Sequence, residues 1–478
     1  MTRYRSFAFI FLLAHGALAL SPEDAQTALR KTCGFFREDI AVHGGYVWQH
    51  SADLAKREGE GKALPKQVWV QPPGTPYVGE AFLAAYEATG DTYYLNAAKE
   101  TAHALVQGQL VSGGWDYRIQ FDPERRSEFA YRAHNPPGKG NVSTLDDNTT
   151  QAALSFLIDV DAATEHSDPE IGEAVAYALT KLCEAQYPNG AWPQRFSAPP
   201  DPAKYPVLKA NYPESWTREY VQRDYKHDYT FNDGGIKDMI DLMLLARGAY
   251  GDARFRDTAL RAGDFIILAQ MPDPQPGWAQ QYDAMMQPVW ARKFEPPSVC
   301  GGESQSVMRT LISLFHETGE SRFLEPIPKA LAYYKSSLLP DGRLARFYEL
   351  QTNRPLYFTK DYKLTYSSDD MPTHYAFIVG SALDAIEAEY KEAKDNGPSP
   401  KGASSPPTLT PELEKLATEA IQTLDIRGAW VEPGRLNYHG DEDSTREVIR
   451  SATFVKNVRA LCNYILASKS ESGGADGK

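Results

Sequence analysis

The sequence predicts an all-α fold, a ring of repeated helix hairpins of the α/α-toroid type. Three observations carry this reading. Apolar residues recur at i, i+3 and i+4 in paired segments, the pairs repeat along the chain, and the first three repeats end on a turn containing Gly and Trp. No β-rich runs alternate with the helical segments, which disfavours a two-domain α/β enzyme.

In chain order, the first segment is a leader. Arg3 and Arg5 precede an apolar run from Phe7 to Leu20, and Ala17-Leu18-Ala19 is a small-x-small cleavage site. The run is too short for a typical membrane span, so residues 1–19 read as an export signal, and the protein is expected to be secreted or periplasmic. The leader carries two positive charges, so the net charge of −13 becomes −15 without it.

The first repeat pairs helices over Val78–Thr89 and Tyr93–Leu110 and closes on Gly113-Gly114-Trp115-Asp116-Tyr117. The second pairs Thr149–Thr164 with Pro169–Tyr187 and closes on Asn189-Gly190-Ala191-Trp192-Pro193-Gln194-Arg195-Phe196. The third pairs Gly235–Ala249 with Ala253–Gln270 and closes on Gly277-Trp278-Ala279-Gln280-Gln281-Tyr282. A fourth runs from Glu303 to Tyr348, with Phe347-Tyr348 where the others have Trp. The first two tryptophans are 77 residues apart and the next two 86, longer and less regular than ordinary solenoid repeats, so insertions separate the pairs. In a ring, the turns emerge at one end and build a shared cleft.

Residues 395–411 are rich in Pro, Ser and Gly and read as a linker or loop after a 20–394 toroid domain. Helices over Glu412–Ile426 and Ser451–Ser468 follow, with Gly428-Ala429-Trp430 echoing the repeat phrase, so 412–468 is expected to close the same ring. Residues 469–478 read as a disordered tail.

Composition bounds the function. The acidic balance of 63 Asp+Glu against 50 Lys+Arg argues against a nucleic-acid partner. It leaves an acidic ligand possible, because a bound cation or a local Arg/Lys cluster inverts the field. Cys33, Cys183, Cys300 and Cys462 form no CxxC or metal-ligand cluster; export permits disulfides, and buried free thiols are the other reading.

Two acidic clusters stand just before the first helix of successive repeats: Asp146-Asp147-Asn148 and Asn232-Asp233-Gly234. Each invites a structural reading, since Asp and Asn cap helix N-termini. Their matched placement at the cleft end also suits a hard cation bound through carboxylate oxygens, or the acid and base of a glycosidase. Basic residues accumulate later, at Arg292, Arg346, Arg354 and Lys360, in Pro-containing, aromatic-flanked loops. Trp192 with Gln194 and Arg195, and Trp278 with Gln280, pair a flat aromatic with polar groups suited to a sugar, although a Trp after Gly can equally plug the helix-pair turn.

These phrases, with Ala291-Arg292-Lys293-Phe294-Glu295-Pro296-Pro297, Gly302-Glu303-Ser304 and Thr352-Asn353-Arg354-Pro355, occur in the order seen in family 10 pectate lyases, which the chain resembles from about residue 45 to 365. The resemblance implies an incomplete α/α toroid and Ca²⁺-assisted β-elimination of polygalacturonate or a related uronate polymer. It implies that Asp146 and Asp233 serve the metal and that a basic side chain, an Arg in the family, abstracts the C5 proton. The candidates here are Lys360, Arg354 and Arg292. Asp147, Trp192, Gln194, Arg195, Asn232, Gln280, Glu295 and Arg346 are the expected substrate contacts. The chain departs from the family pattern in three places. Lys360 stands where the family has a second Arg, Met371-Pro372-Thr373-His374-Tyr375 replaces Glu-Arg-Arg-x-Gly-Tyr, and Asp146-Asp147-Asn148 replaces Asp-Asn-Gly. The expected partner is an anionic polysaccharide, with a monomeric chain, no nucleic acid and no membrane span. A toroidal glycoside hydrolase using two of Asp146, Asp147, Asp233 and Glu295, and a non-catalytic binder of acidic glycans, are the competing readings.

Overall fold

The computed structural model describes residues 20–134, 137–400 and 407–475. The expected leader therefore lies outside the described residues, as do 401–406 of the linker and 476–478 of the tail. Among the described residues there are twelve α-helices: α1 (Pro22–Phe35), α2 (Thr75–Thr89), α3 (Thr92–Gly108), α4 (Thr149–Ala163), α5 (Pro169–Ala185), α6 (Gly235–Tyr250), α7 (Ala253–Leu268), α8 (Glu303–Thr318), α9 (Ile327–Ser336), α10 (Leu383–Asn396), α11 (Pro411–Gln422) and α12 (Ser451–Ala475). None of them is long and apolar enough to cross a membrane.

Helices α2/α3, α4/α5 and α6/α7 are the hairpins of the first three repeats, and α8 and α9 belong to the fourth. Side by side, α12, α2, α4 and α6 form an inner wall, α8 continues it with α10, and α3 packs on α5 outside. Helix α12 extends the wall on the other side of α2 and also packs on α1 and α11. The architecture is an incomplete α/α toroid. Two mainly alanine faces, Ala81, Ala85 and Ala88 of α2 and Ala97, Ala98 and Ala102 of α3, are fully buried and let these helices approach closely.

The hairpins end in a common device. Trp115, Trp192, Trp278 and Trp430 are buried, and each donates its indole N–H, at 2.8 Å, to a carbonyl of the preceding helix: Leu105, Leu182, Ile266 and Ala420. Each plugs a hairpin end with an apolar ring whose one polar atom is satisfied. Gly190 cannot be replaced in such a turn, since its φ is 95° and an added Cβ would stand 1.9 Å from the Arg261 carbonyl oxygen. The fourth repeat differs from the expectation. Tyr348 matches Tyr282, because Ala345 and Ala279 each donate a backbone N–H to the tyrosine hydroxyl three residues on. Leu344 therefore fills the Trp278 position, while Phe347 joins a separate cluster with Trp290, Leu356 and Phe358.

Short antiparallel strands, not expected from the sequence, decorate the cleft end. Ser143–Thr144 pairs with Arg195–Phe196, and Tyr229–Thr230 with Gln281–Tyr282. Ser298–Cys300, Phe347–Glu349, Pro355–Phe358 and Leu364–Thr365 form a four-stranded sheet. The four cysteines are free thiols. Helix α12 continues past Ser468 to Ala475, so the chain there is helical rather than a disordered tail, and Lys469 Nζ donates to the Ala88 carbonyl at 2.8 Å.

Candidate functional site

The inner helices α2, α4, α6 and α8 begin at the cleft, and none of them has a side-chain N-cap. The outer helices α3, α5 and α7 are capped by Asp91, Asp168 and Asp252. The capping explanation for Asp146, Asp147 and Asp233 therefore fails. The chain turns into α4 and α6 through left-handed residues instead: Asp147 at φ 50° and Asn148 at φ 56°, then Asp233 at φ 49° and Gly234 at φ 73°. Left-handed backbone is costly for a residue with a Cβ, and here it aims carboxylates into the cleft rather than at the helix ends.

The three carboxylates converge. One oxygen from each of Asp146, Asp147 and Asp233 lies within 4.8 Å of the others. Burial, then the charges of Asp146, Asp233 and Glu60, push Asp147 up to about 7, with Arg292 opposing. Asp233 rises to about 6, through the protein packed around it and then through Asp146. Carboxylates held this close resist ionisation until a cation joins them. The donor set is oxygen only, from carboxylates, and fits a hard cation such as Ca²⁺.

The strand pairing sets the surroundings. Thr144 lies opposite Arg195 and Thr230 opposite Gln281, which carries the residue after each Trp turn to the next acidic motif. Gln194 Nε2 donates to Asp146 Oδ1 at 2.9 Å, and Gln280 Nε2 donates to Asn232 Oδ1 at 2.9 Å, the same contact in successive repeats. Tyr117 Oη donates to Asp146 Oδ2 at 2.8 Å and itself accepts from Arg195 at 3.2 Å. Gln71 Nε2 donates to Asp147 Oδ2 at 2.9 Å.

Arg292 forms the basic wall. Its Nε donates to Glu295 Oε2 at 2.8 Å, with a second bond from its terminal nitrogen to the other oxygen. The Glu295 side chain is 3% exposed and also accepts from Gln280 at 2.7 Å and from Tyr375 Oη at 3.1 Å. Burial pulls Arg292 down, but Glu295 outweighs it and raises the guanidinium overall, while Arg292 holds Glu295 below the usual carboxylate range. The Arg292 side chain keeps 39% exposure toward the cleft. Arg346 lies nearby, paired with Glu303, its guanidinium 4.7 Å from the Tyr375 ring centroid.

Of the expected residues, the structure thus assembles Asp146, Asp147, Gln194, Arg195, Asn232, Asp233, Gln280, Arg292, Glu295 and Arg346. Asp147, expected among the substrate contacts, is the member that completes the carboxylate cluster. Trp192 is misplaced in the expectation: it is 1% exposed and spent on Leu182, so it cannot stack on a sugar. Lys360 is 69% exposed and paired with Asp370 at 3.2 Å on a turn after Pro355–Phe358. Arg354 lies over the Tyr366 ring, 3.4 Å from its centroid. Neither is among the charges that act most on Asp147 and Asp233, whereas Arg292 is. Tyr117, Gln71, Glu60, Glu303 and Tyr375 were missed. Tyr117 stood at the end of the first Trp phrase, Glu303 in the Gly302-Glu303-Ser304 phrase and Tyr375 in the segment that departs from the family pattern; nothing marked Gln71 or Glu60.

A cavity of about 710 Å³ opens between α11, α12 and the start of α2, and is lined by none of the three aspartates. The site is defined by its chemistry: a cluster of three carboxylates beside a guanidinium, where the inner helices begin.

Residues 126–344 match the family model of pectic acid lyases. Three solved structures illustrate the likeness. A mutant of the family 10 polysaccharide lyase from Cellvibrio cellulosa, in complex with trigalacturonic acid, is 19% identical, over 67% of this chain and 98% of that one, with a TM-score of 0.45. A D-mannose isomerase is 15% identical, over 94% and 98%, with a TM-score of 0.46. An inactive variant of an α-1,6-mannanase of Salegentibacter is 11% identical, over 93% and 99%, with a TM-score of 0.40. No curated protein matches the chain.

Proposed function

We propose that the protein is an exported polysaccharide lyase that cleaves polygalacturonate, or a related uronate polymer, by Ca²⁺-assisted β-elimination. One observation carries this reading: three carboxylates that cap no helix meet at one point, and the cation acting on two of them is Arg292. The match of residues 126–344 to the pectic acid lyases supports it. Asp146, Asp147 and Asp233 would hold the metal. When bound, Ca²⁺ withdraws charge from the uronate carboxylate and so acidifies the C5 proton. Gln194 and Tyr117 orient Asp146, and Gln71 orients Asp147.

Arg292 replaces Lys360 and Arg354 as the basic side chain at the reacting carbon. Glu295 holds its guanidinium by two parallel bonds, which fixes its plane. In the metal-free protein that pair keeps Arg292 protonated, so it first serves to bind an anionic ligand. Acting as base requires the positive field of the neighbouring metal position and the exclusion of water to lower its proton affinity.

The test is ultraviolet absorbance of the unsaturated product from polygalacturonate at mildly alkaline pH. A rise with Ca²⁺ that EDTA abolishes is the expected result. Reducing ends without absorbance, unaffected by EDTA, would establish the hydrolase reading instead.

A further inference from the structure

The insert between the second and third repeats, residues 199–227, has only one short helical turn, at Pro202–Lys204, yet is tied down along its length. Ala210 N–H donates to Leu268 O at 2.8 Å, Tyr212 Oη to Pro272 O at 3.0 Å, and Trp290 Nε1 to Thr217 O at 3.0 Å. Arg218 pairs with Glu349. The last stretch crosses the cleft mouth. Gln281 Nε2 donates to Tyr225 O at 2.9 Å, and Arg195 N–H donates to Lys226 O at 3.3 Å. Gln281 and Arg195 adjoin Gln280 and Gln194, whose side chains hold Asn232 and Asp146.

Tyr225 is therefore pinned by its backbone between the two strands that build the site. Its side chain is half-buried, and the charges felt by its hydroxyl are those of Arg292, Glu295, Asp146 and Arg195. Among the described residues this hydroxyl has no hydrogen-bond partner. Burial raises it above the ordinary phenol range, so it carries its proton at any pH where a lyase of this kind works.

We propose that Tyr225, supplied by the insert, donates the proton to the glycosidic oxygen that leaves in the elimination. The proposal rests on the lyase reading above. Arg292 first loses a proton to solvent; the C5–H bond then breaks with its proton passing to the neutral guanidine, and its electron pair becomes the C4–C5 double bond. The C4–O4 bond breaks with its pair on O4, which takes the Tyr225 hydroxyl proton. Water then returns a proton to the phenolate.

The experiment compares wild type with Tyr225→Phe on two substrates in the presence of Ca²⁺. One is polygalacturonate. The other is a 4-deoxy-4-fluoro galacturonide, whose fluoride leaves without a proton and is read with a fluoride electrode. The expected result is a kcat on polygalacturonate lower by roughly 100-fold with little change in KM, while the variant releases fluoride at the wild-type rate. Wild-type fluoride release by the variant also shows that it is folded. Equal losses on both substrates, or a loss confined to KM, would overturn the assignment and leave Tyr225 a binding residue; an undiminished variant would overturn it outright. A wild type that forms no unsaturated product from either substrate overturns the lyase reading, and this proposal with it.

Discussion

Asp147 and Asp233 occupy the same step of successive repeats, both in left-handed backbone at φ 50° and 49°, and their carboxylates meet beside that of Asp146. Repeats that each point a carboxylate to the same place concentrate like charge where the copies converge.

That concentration has a sign in stability. An unfolded Asp titrates at roughly 3.9. In the folded protein Asp147 titrates at about 7 and Asp233 at about 6. Between these values the folded state binds more protons than the unfolded one, so metal-free stability falls as pH rises through this window. For the partly exposed Asp147 the loss is on the order of 1–2 kcal/mol after solvent screening. Thermal unfolding in EDTA is expected to show a lower Tm at pH 8 than at pH 5. Ca²⁺ should restore more at pH 8. Asp147→Asn should raise the metal-free Tm at pH 8 and lose the Ca²⁺ response.

Gln194 Nε2 donates to Asp146 Oδ1 at 2.9 Å. Gln194→Leu is expected to weaken Ca²⁺ binding roughly 10- to 100-fold by freeing the Asp146 carboxylate to rotate, with the fold intact. Calorimetric titration with Ca²⁺ measures this, and an unchanged affinity would remove Asp146 from the metal position.

Arg292 and Lys360 separate the two assignments of the base. Arg292→Lys keeps the charge but loses the second bond to Glu295, and kcat is expected to drop by at least about 100-fold. Lys360→Ala, at an exposed ion pair, is expected to leave kcat near the wild-type value. The reverse pattern would return the chemistry to Lys360.

Trp192 distinguishes a plug from a sugar platform. Trp192→Phe removes the bond to Leu182 O and should cost about 1–3 kcal/mol in urea unfolding. KM for polygalacturonate should not change. A raised KM with unaltered stability would mean that the ring meets the substrate.

The helix pairs were legible because period 3.6 is local, and α4, α5 and α6 begin at the residues expected. The acidic motifs were legible through their repetition, although the sequence left capping and ligation both open. Backbone dihedrals removed the capping reading: a cap needs an extended residue, and Asp147 and Asp233 are left-handed. The roles of Lys360 and Trp192 were misjudged because neither exposure nor a long-range partner is encoded at a fixed spacing. Tyr375 reaches Glu295 from 80 residues away, and the insert that holds Tyr225 against Gln281 has no periodicity to announce it.

The sequence by itself determined the all-α repeat, the Gly and Trp turns and the two acidic motifs, since each depends on residues close in the chain. The tertiary structure alone decided which charges share a site. The packing of α4 on α6 and the short strands between Trp turns and acidic motifs bring Asp146, Asp147, Asp233 and Arg292 together. Electrostatic coupling falls with distance through space, not along the chain, so only the folded ring fixes what those residues can do together.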